Sequence, residues 1–89
     1  MAQIRFTSWL REHAPKGPVS AGGATVGEAL AAVFAEEPQL RGYLLDDQGR
    51  LRKHVCIFAD GERLKHEAAL DHRIAPQAQL YIMQELSGG

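Results

Sequence analysis

Polar and apolar residues alternate at Gln3-Ile4-Arg5-Phe6, the period of a half-buried strand with Ile4 and Phe6 on its inner face. Gly17 to Ala21 is expected to form a short second strand, hairpin-paired with the first, with Val19 pointing inward. The period then changes. Val26, Ala29, Leu30, Val33 and Phe34 recur at helical spacing and predict one amphipathic helix of about three turns. It opens on Thr25-Val26-Gly27-Glu28, where a Thr N-cap and a Glu three residues on can each satisfy an orphan backbone N–H. It closes at Glu36-Glu37-Pro38, because proline disfavours helical geometry in the residue before it.

Leu40 to Tyr43 reads as a short turn, and Leu44-Leu45 and Leu51-Arg52 flank a turn-rich loop, Asp46 to Arg50. His54 to Ala59 is the strongest strand signal, rich in β-branched and aromatic residues. It ends at Asp60-Gly61, a favoured tight-turn pair, with Glu62-Arg63-Leu64 as a return segment. Ala68 to Asp71 is expected to make a helical turn, and Gln79 to Leu86 the last strand. The connection after the first strand is interrupted by Pro15, Gly17 and Pro18, and its Trp9 and Leu10 read as a hydrophobic plug over the core. A single helix on one face of a mixed sheet of four to five strands is an α+β roll.

The two strongest strands define two faces. If Val55, Ile57, Leu80 and Ile82 face the helix, alternation puts Cys56, Phe58, Tyr81 and Met83 on the other side. An apolar, aromatic and Met-containing patch on an open sheet face is what a partner interface looks like. The alternatives are that the Trp9 loop covers these residues, or that a one-residue slip exchanges the faces. Arg50, Arg52 and Lys53, with Arg63 and Lys65, would add rim charges able to steer an acidic partner; an ordinary solvated surface is the competing reading.

Composition narrows the class. At 89 residues, 45% apolar and 24% charged, the chain has the make-up of one small folded domain. Ten Lys and Arg against eleven Asp and Glu leave a net charge of −1, without the basic excess of a nucleic-acid binder. No apolar run approaches a membrane span, so no membrane partner is expected. Met1 to Arg5 carries no secretory pattern, and the single cysteine, Cys56, cannot form an internal disulfide. A reducing cytoplasm is the expected compartment, with the chain a monomer when free.

The chain ends Leu86-Ser87-Gly88-Gly89, giving a domain over residues 1–84 and a tail over 85–89. Two terminal glycines arise by chance in about one chain in two hundred. Glycine suits a backbone that must approach something closely, and five extended residues reach about 17 Å.

Three features make this sequence resemble the β-grasp, ubiquitin-like sulfur carriers of the ThiS and MoaD type. They are Ala24-Thr25-Val26-Gly27-Glu28-Ala29-Leu30, Val55-Cys56-Ile57-Phe58-Ala59-Asp60-Gly61-Glu62, and the terminal Gly88-Gly89. In the second, Asn is more usual in the family than Cys56 and Asp60. The Gln48 to Lys53 insertion and the length look nearest to the CysO-like branch. The resemblance implies a β-grasp roll whose Gly89 carboxylate is adenylated by an E1-like adenylyltransferase using ATP. A sulfur donor protein then supplies the sulfur of a C-terminal thiocarboxylate, which a sulfur-accepting biosynthetic enzyme consumes. On this reading Gly89 is the reacting residue, and Leu86, Ser87 and Gly88 supply span and clearance. Phe58, Tyr81, Met83, Cys56, Arg52 and Lys53 would bind partners. The chain itself would bind no cofactor, since it has no phosphate-binding loop of the GxxxxGK[ST] kind.

Rival chemistries are weaker. His54, Cys56, His66 and His72 match no familiar zinc spacing, and a Cys56–His54 nucleophilic pair lacks an evident orienting group. The chain is therefore expected not to be an enzyme. Two other classes stay open: a ubiquitin-like modifier joined through Gly89 to lysines, and a β-grasp binding module whose glycines are a frayed end.

Overall fold

A computed structural model describes residues 1–7 and 17–84 of the chain. They form a five-stranded sheet built from β1 (Ala2–Phe6), β2 (Val19–Ala21), β3 (Val55–Ala59), β4 (Glu62–Arg63) and β5 (Gln79–Gln84). The order across the sheet is β2-β1-β5-β3-β4. β1 and β5 run parallel, with Ile4 opposite Leu80 and Phe6 opposite Ile82; the other pairings are antiparallel. Helix α1 (Val26–Glu36) covers one face, and the core lies between them. The α+β roll with a mixed sheet and one main helix is as expected.

Alternation decides which side chains meet the helix. Ile4, Ile57, Leu80 and Ile82 are at most 1% exposed, as are Val26, Ala29 and Leu30 on the facing stripe of α1. Phe34 packs half-buried at the margin, and Val19 reaches the core from the edge strand. The first three helical N–H groups all find partners. The N–H of Glu28 donates to the Thr25 hydroxyl at 3.2 Å, while the Glu28 carboxylate accepts from the N–H of Ala24, one residue before the cap. Val26 and Gly27 donate to the carbonyls of His72 and Leu70. Glycine at 27 lets the helix start approach the return chain closely, since a Cβ there would stand 3.0 Å from the Leu70 oxygen.

One expected turn is a helix. Gln39–Leu44 forms a six-residue α2, with Leu40 and Leu44 fully buried and Tyr43 packed against the core margin. Leucines four apart are the helical neighbours that drive it. Further on, the expected helical turn at 68–71 is a 3-10 turn at His66–Ala68, shifted toward the N-terminus. The last strand is described to Gln84, and the Trp9–Leu10 plug and the 85–89 tail lie outside the described residues. No described helix is long and apolar enough to cross a membrane.

Because α2 is core and not a surface turn, Leu44→Ala is expected to destabilise the domain by about 2–5 kcal/mol. Loss of the N-cap in Thr25→Ala is expected to cost about 1 kcal/mol. Urea unfolding of both variants tests this ranking; equal, small losses would return Gln39–Leu44 to the surface.

Candidate functional site

The face of the sheet turned away from α1 carries a row of four side chains. Register places Arg5 on β1 beside Tyr81 on β5, Tyr81 beside Phe58 on β3, and Phe58 beside Arg63 on β4. Two aromatic rings are thus flanked by two guanidinium groups. The Arg5 Cζ lies 5.6 Å from the Tyr81 ring centroid, a cation–π contact of about 0.5–1 kcal/mol at an exposed site. An Arg5 guanidinium nitrogen also donates to the Gln79 Oε1 at 2.8 Å, which holds the side chain along the strand. Tyr81 is 37% exposed, and Phe58 and Met83 are half-buried. The face assignment made from alternation therefore holds for Phe58, Tyr81 and Met83.

Cys56 needs correction. It lies opposite Met83 on this face, yet is only 7% exposed. The chain that returns after β4 brings Leu64 and His66 toward that edge of β3. With Lys53 and Arg63 they line a cavity of about 60 Å³ that includes Cys56. The buried thiol offers a partner little surface. Among the described residues no three His, Cys, Asp or Glu side chains gather as metal ligands.

A second feature lies beyond the N-terminal end of β3. Asp46, Arg50, Leu51, Arg52, Lys53, His54 and His66 line an open groove of about 470 Å³. Its floor is locally built. The Asp46 carboxylate accepts from the N–H groups of Gln48 at 2.9 Å and Arg50 at 3.0 Å, and the Arg50 Nε lies 3.3 Å from its second oxygen. Arg52 donates to the Gly42 carbonyl at 2.9 Å, and the His66 Nε2 lies 2.9 Å from the Arg52 carbonyl oxygen. Arg52 is half-buried and Lys53 exposed, so both partner-binding candidates sit in this groove and not in the aromatic row.

A third residue shapes the site without having been singled out for it. Asp60 takes φ +51° and Gly61 φ +87°, the left-handed pair of a tight hairpin turn. The Asp60 Oδ1 also accepts from the N–H of Gln79 at 2.9 Å, and its own N–H donates to the Gln79 carbonyl at 2.8 Å. The β3–β4 turn is thereby tied to the start of β5. The turn dipeptide was legible, but not this second role.

Fold and face together define a ubiquitin-like roll that presents a charged aromatic patch beside its last strand. No family model matches the sequence. Small archaeal modifier protein 1 of Haloferax volcanii is 35% identical over 68 residues, which cover 76% of this chain and 74% of that protein. Its crystal structure superposes with a TM-score of 0.78 at 27% identity, covering 99% of this chain and 98% of that one. A chain of the Amycolatopsis orientalis BexX/CysO complex gives a TM-score of 0.85 at 21% identity, with each chain wholly covered. CysO of Mycobacterium tuberculosis gives 0.83 at 24%, covering 97% of this chain and 100% of that one. The CysO likenesses are likenesses of fold. This chain belongs to the ubiquitin-like family of small modifiers and sulfur carriers, and the family resemblance read from Thr25-Val26-Gly27-Glu28 and the Phe58 strand is borne out.

The groove carries a pH signature. The Arg50 N–H is the largest influence on Asp46, and together with the Gln48 N–H and the Arg50 charge it holds the carboxyl below the ordinary 3.8, partly opposed by desolvation. A depressed folded value means that Asp46 contributes stability in full above the ordinary value. That contribution is lost as the pH falls from there through the lowered folded value. Asp46→Asn is expected to remove this part of acid unfolding. Melting temperatures of both proteins between about pH 2 and about pH 6 should converge at the acid end. A constant difference across that range would contradict it.

Proposed function

We propose that this protein is a sulfur carrier, consumed and regenerated at the carboxylate of Gly89. The observation that carries the reading is the charged aromatic row Arg5-Tyr81-Phe58-Arg63 on β5 and its neighbours, in a chain whose tail begins one residue after β5 ends. A carboxylate is a poor electrophile. An oxygen of the Gly89 carboxylate attacks the α-phosphorus of ATP held by an E1-like adenylyltransferase, and pyrophosphate leaves. Hydrosulfide released by a donor protein then adds to the acyl carbon, and AMP departs with the electron pair of the broken C–O bond. The resulting thiocarboxylate delivers sulfur to a biosynthetic enzyme. Gly88 keeps the approach to that carbonyl clear, and Leu86-Ser87 supplies reach.

On this reading the chain is a protein co-substrate. ATP and the groups that activate it belong to the partner. The aromatic row docks the body, so that the tail starts from a fixed point. Cytoplasmic localisation fits a chemistry that consumes ATP and handles an oxidisable thiocarboxylate. A second reading, conjugation through Gly89 to lysines of other proteins, is favoured by the 35%-identical relative being named a modifier. Both use the same activation, and differ only in whether sulfur or a lysine amine attacks the acyl carbon.

Intact-mass measurement on protein made with its adenylating and sulfur-donating partners separates them. The carrier shows one oxygen replaced by sulfur at Gly89, whereas the modifier gives isopeptide-linked products on other proteins. Deleting Gly89 should abolish either product; full activity of the deletion would sink both readings. Tyr81→Ala is expected to raise the KM for the adenylating enzyme about tenfold with kcat little changed, as for an interface anchor worth 1–2 kcal/mol. An unchanged KM would remove the aromatic row from the docking surface.

A further inference from the structure

The groove beyond β3 stands at a particular end of the sheet. Register pairs Val55 with Gln84, so the residues entering β3, Lys53 and His54, lie beside the point where the chain leaves β5. Arg50, Arg52, Lys53, Arg63 and Lys65 are half of the chain's ten Lys and Arg, although its net charge is −1. The groove's own lining sets three cations, Arg50, Arg52 and Lys53, against one carboxylate, Asp46, so a positive excess is local to it. Folding also brings His66 to the Arg52 carbonyl, where it lines the groove with Lys53 and His54. Lys53 and His66 also border the smaller cavity that Arg63 lines, which extends the basic track toward the aromatic row. The carboxylate of the groove, Asp46, is already engaged by Arg50 and two backbone N–H groups. Glu67 and Asp71 lie on the far side, with Arg50 and His66, and bound the track there.

We propose that this basic track docks against an acidic rim, formed by Asp and Glu side chains of the partner protein, around the mouth of the slot that receives the tail. The proposal rests on the carrier reading, because a partner that accepts the tail must approach this end of the sheet. Charge at such a rim acts chiefly on encounter: it raises the association rate and orients the body before the tail enters, and it is screened by salt. The partner's specificity is then set by two surfaces of different chemistry, an aromatic row read by contact and a basic track read at a distance.

The test uses the full chain and the E1-like adenylyltransferase from the same genome, with ATP–pyrophosphate exchange measured at low and high salt. Lys53→Glu changes the charge of the track by two without removing any hydrogen bond described above. It is expected to lower kcat/KM about five- to tenfold at low ionic strength, with kcat unchanged, and to converge on the wild type near 1 M salt, where the Debye length is about 3 Å. The matched control is Ala31→Glu with Ala32→Glu, which alters net charge equally on the exposed side of α1 and should leave kcat/KM within about twofold. The milder Lys53→Gln is expected to fall between, and keeps the test valid if the reversal variant folds poorly. Equal kcat/KM for Lys53→Glu and the wild type at low salt overturns the track while leaving the carrier intact. An equal fall in the helix control makes the effect one of net charge and also overturns it. Failure of the wild type to be adenylated overturns the carrier reading itself.

Discussion

The position of β5 governs this structure. It is flanked by β1 on one side and β3 on the other, and its inward residues Leu80 and Ile82 are wholly buried. Its parallel partner is the first strand, so Arg5 and Gln79, 74 residues apart in sequence, are hydrogen-bonded neighbours. A parallel pair needs a crossover, and here nearly all the chain between the two strands is that crossover. Closing so long a loop costs entropy that grows only logarithmically with length, and it affects folding rate more than stability. The return is mechanical: the described strand from which the tail follows is the one with most support. On the carrier reading, a partner that grips the body thereby also holds Gln84, the last residue of β5, in a fixed place.

The helix and the return chain secure this arrangement from the other face. α1 is capped by Thr25, but two of its first N–H groups go to Leu70 and His72, and the Ala24 carbonyl accepts from Ile74. The segment that leads into β5 is thus bonded to the start of the helix. Gly23 shows how close the packing is, since at φ +152° a Cβ would stand 2.8 Å from the Ala29 nitrogen. Asp60 supplies the matching tie at the sheet, holding the β3–β4 turn to Gln79. These bonds join segments distant in sequence and hold a small domain together across its faces.

Most of this was legible because period-two alternation at Val55–Phe58 and Leu80–Met83, and the stripe from Val26 to Phe34, are strong local signals. Once one strand's inner face is assigned, its neighbours' faces follow, which is why the aromatic face was identified. What escaped depended on pairs of distant segments or on short ones. α2 is six residues long and contains Gly42, so propensity argued for a turn, while burial of Leu40 and Leu44 decided for helix. Cys56 sits on the open face by register, but no pattern along the strand could reveal how little of it stays exposed. The basic residues of the track were legible as rim charges; what folding adds is the approach of the His66 ring to the Arg52 carbonyl. The tail was read from composition and position, and it lies outside the described residues.

A carrier of the proposed kind faces a kinetic demand that a permanent complex does not. It must bind one partner to be activated and then leave to meet another, so a slow dissociation rate would limit every cycle. Affinity is tuned mostly through dissociation, and buried anchors are what slow it. The open face is modest in that respect: Tyr81 is only 37% exposed, Phe58 and Met83 are half-buried, and Cys56 is buried. Charges at a rim work differently, because they accelerate encounter without adding much to the buried contact. A small aromatic row beside a basic track is thus a division of labour suited to fast arrival and fast release. The same logic places the charge at the tail's end of the sheet. Steering is useful only if it presents the right edge of the body to the slot, and Lys53 and His54 stand next to Gln84, where that edge begins.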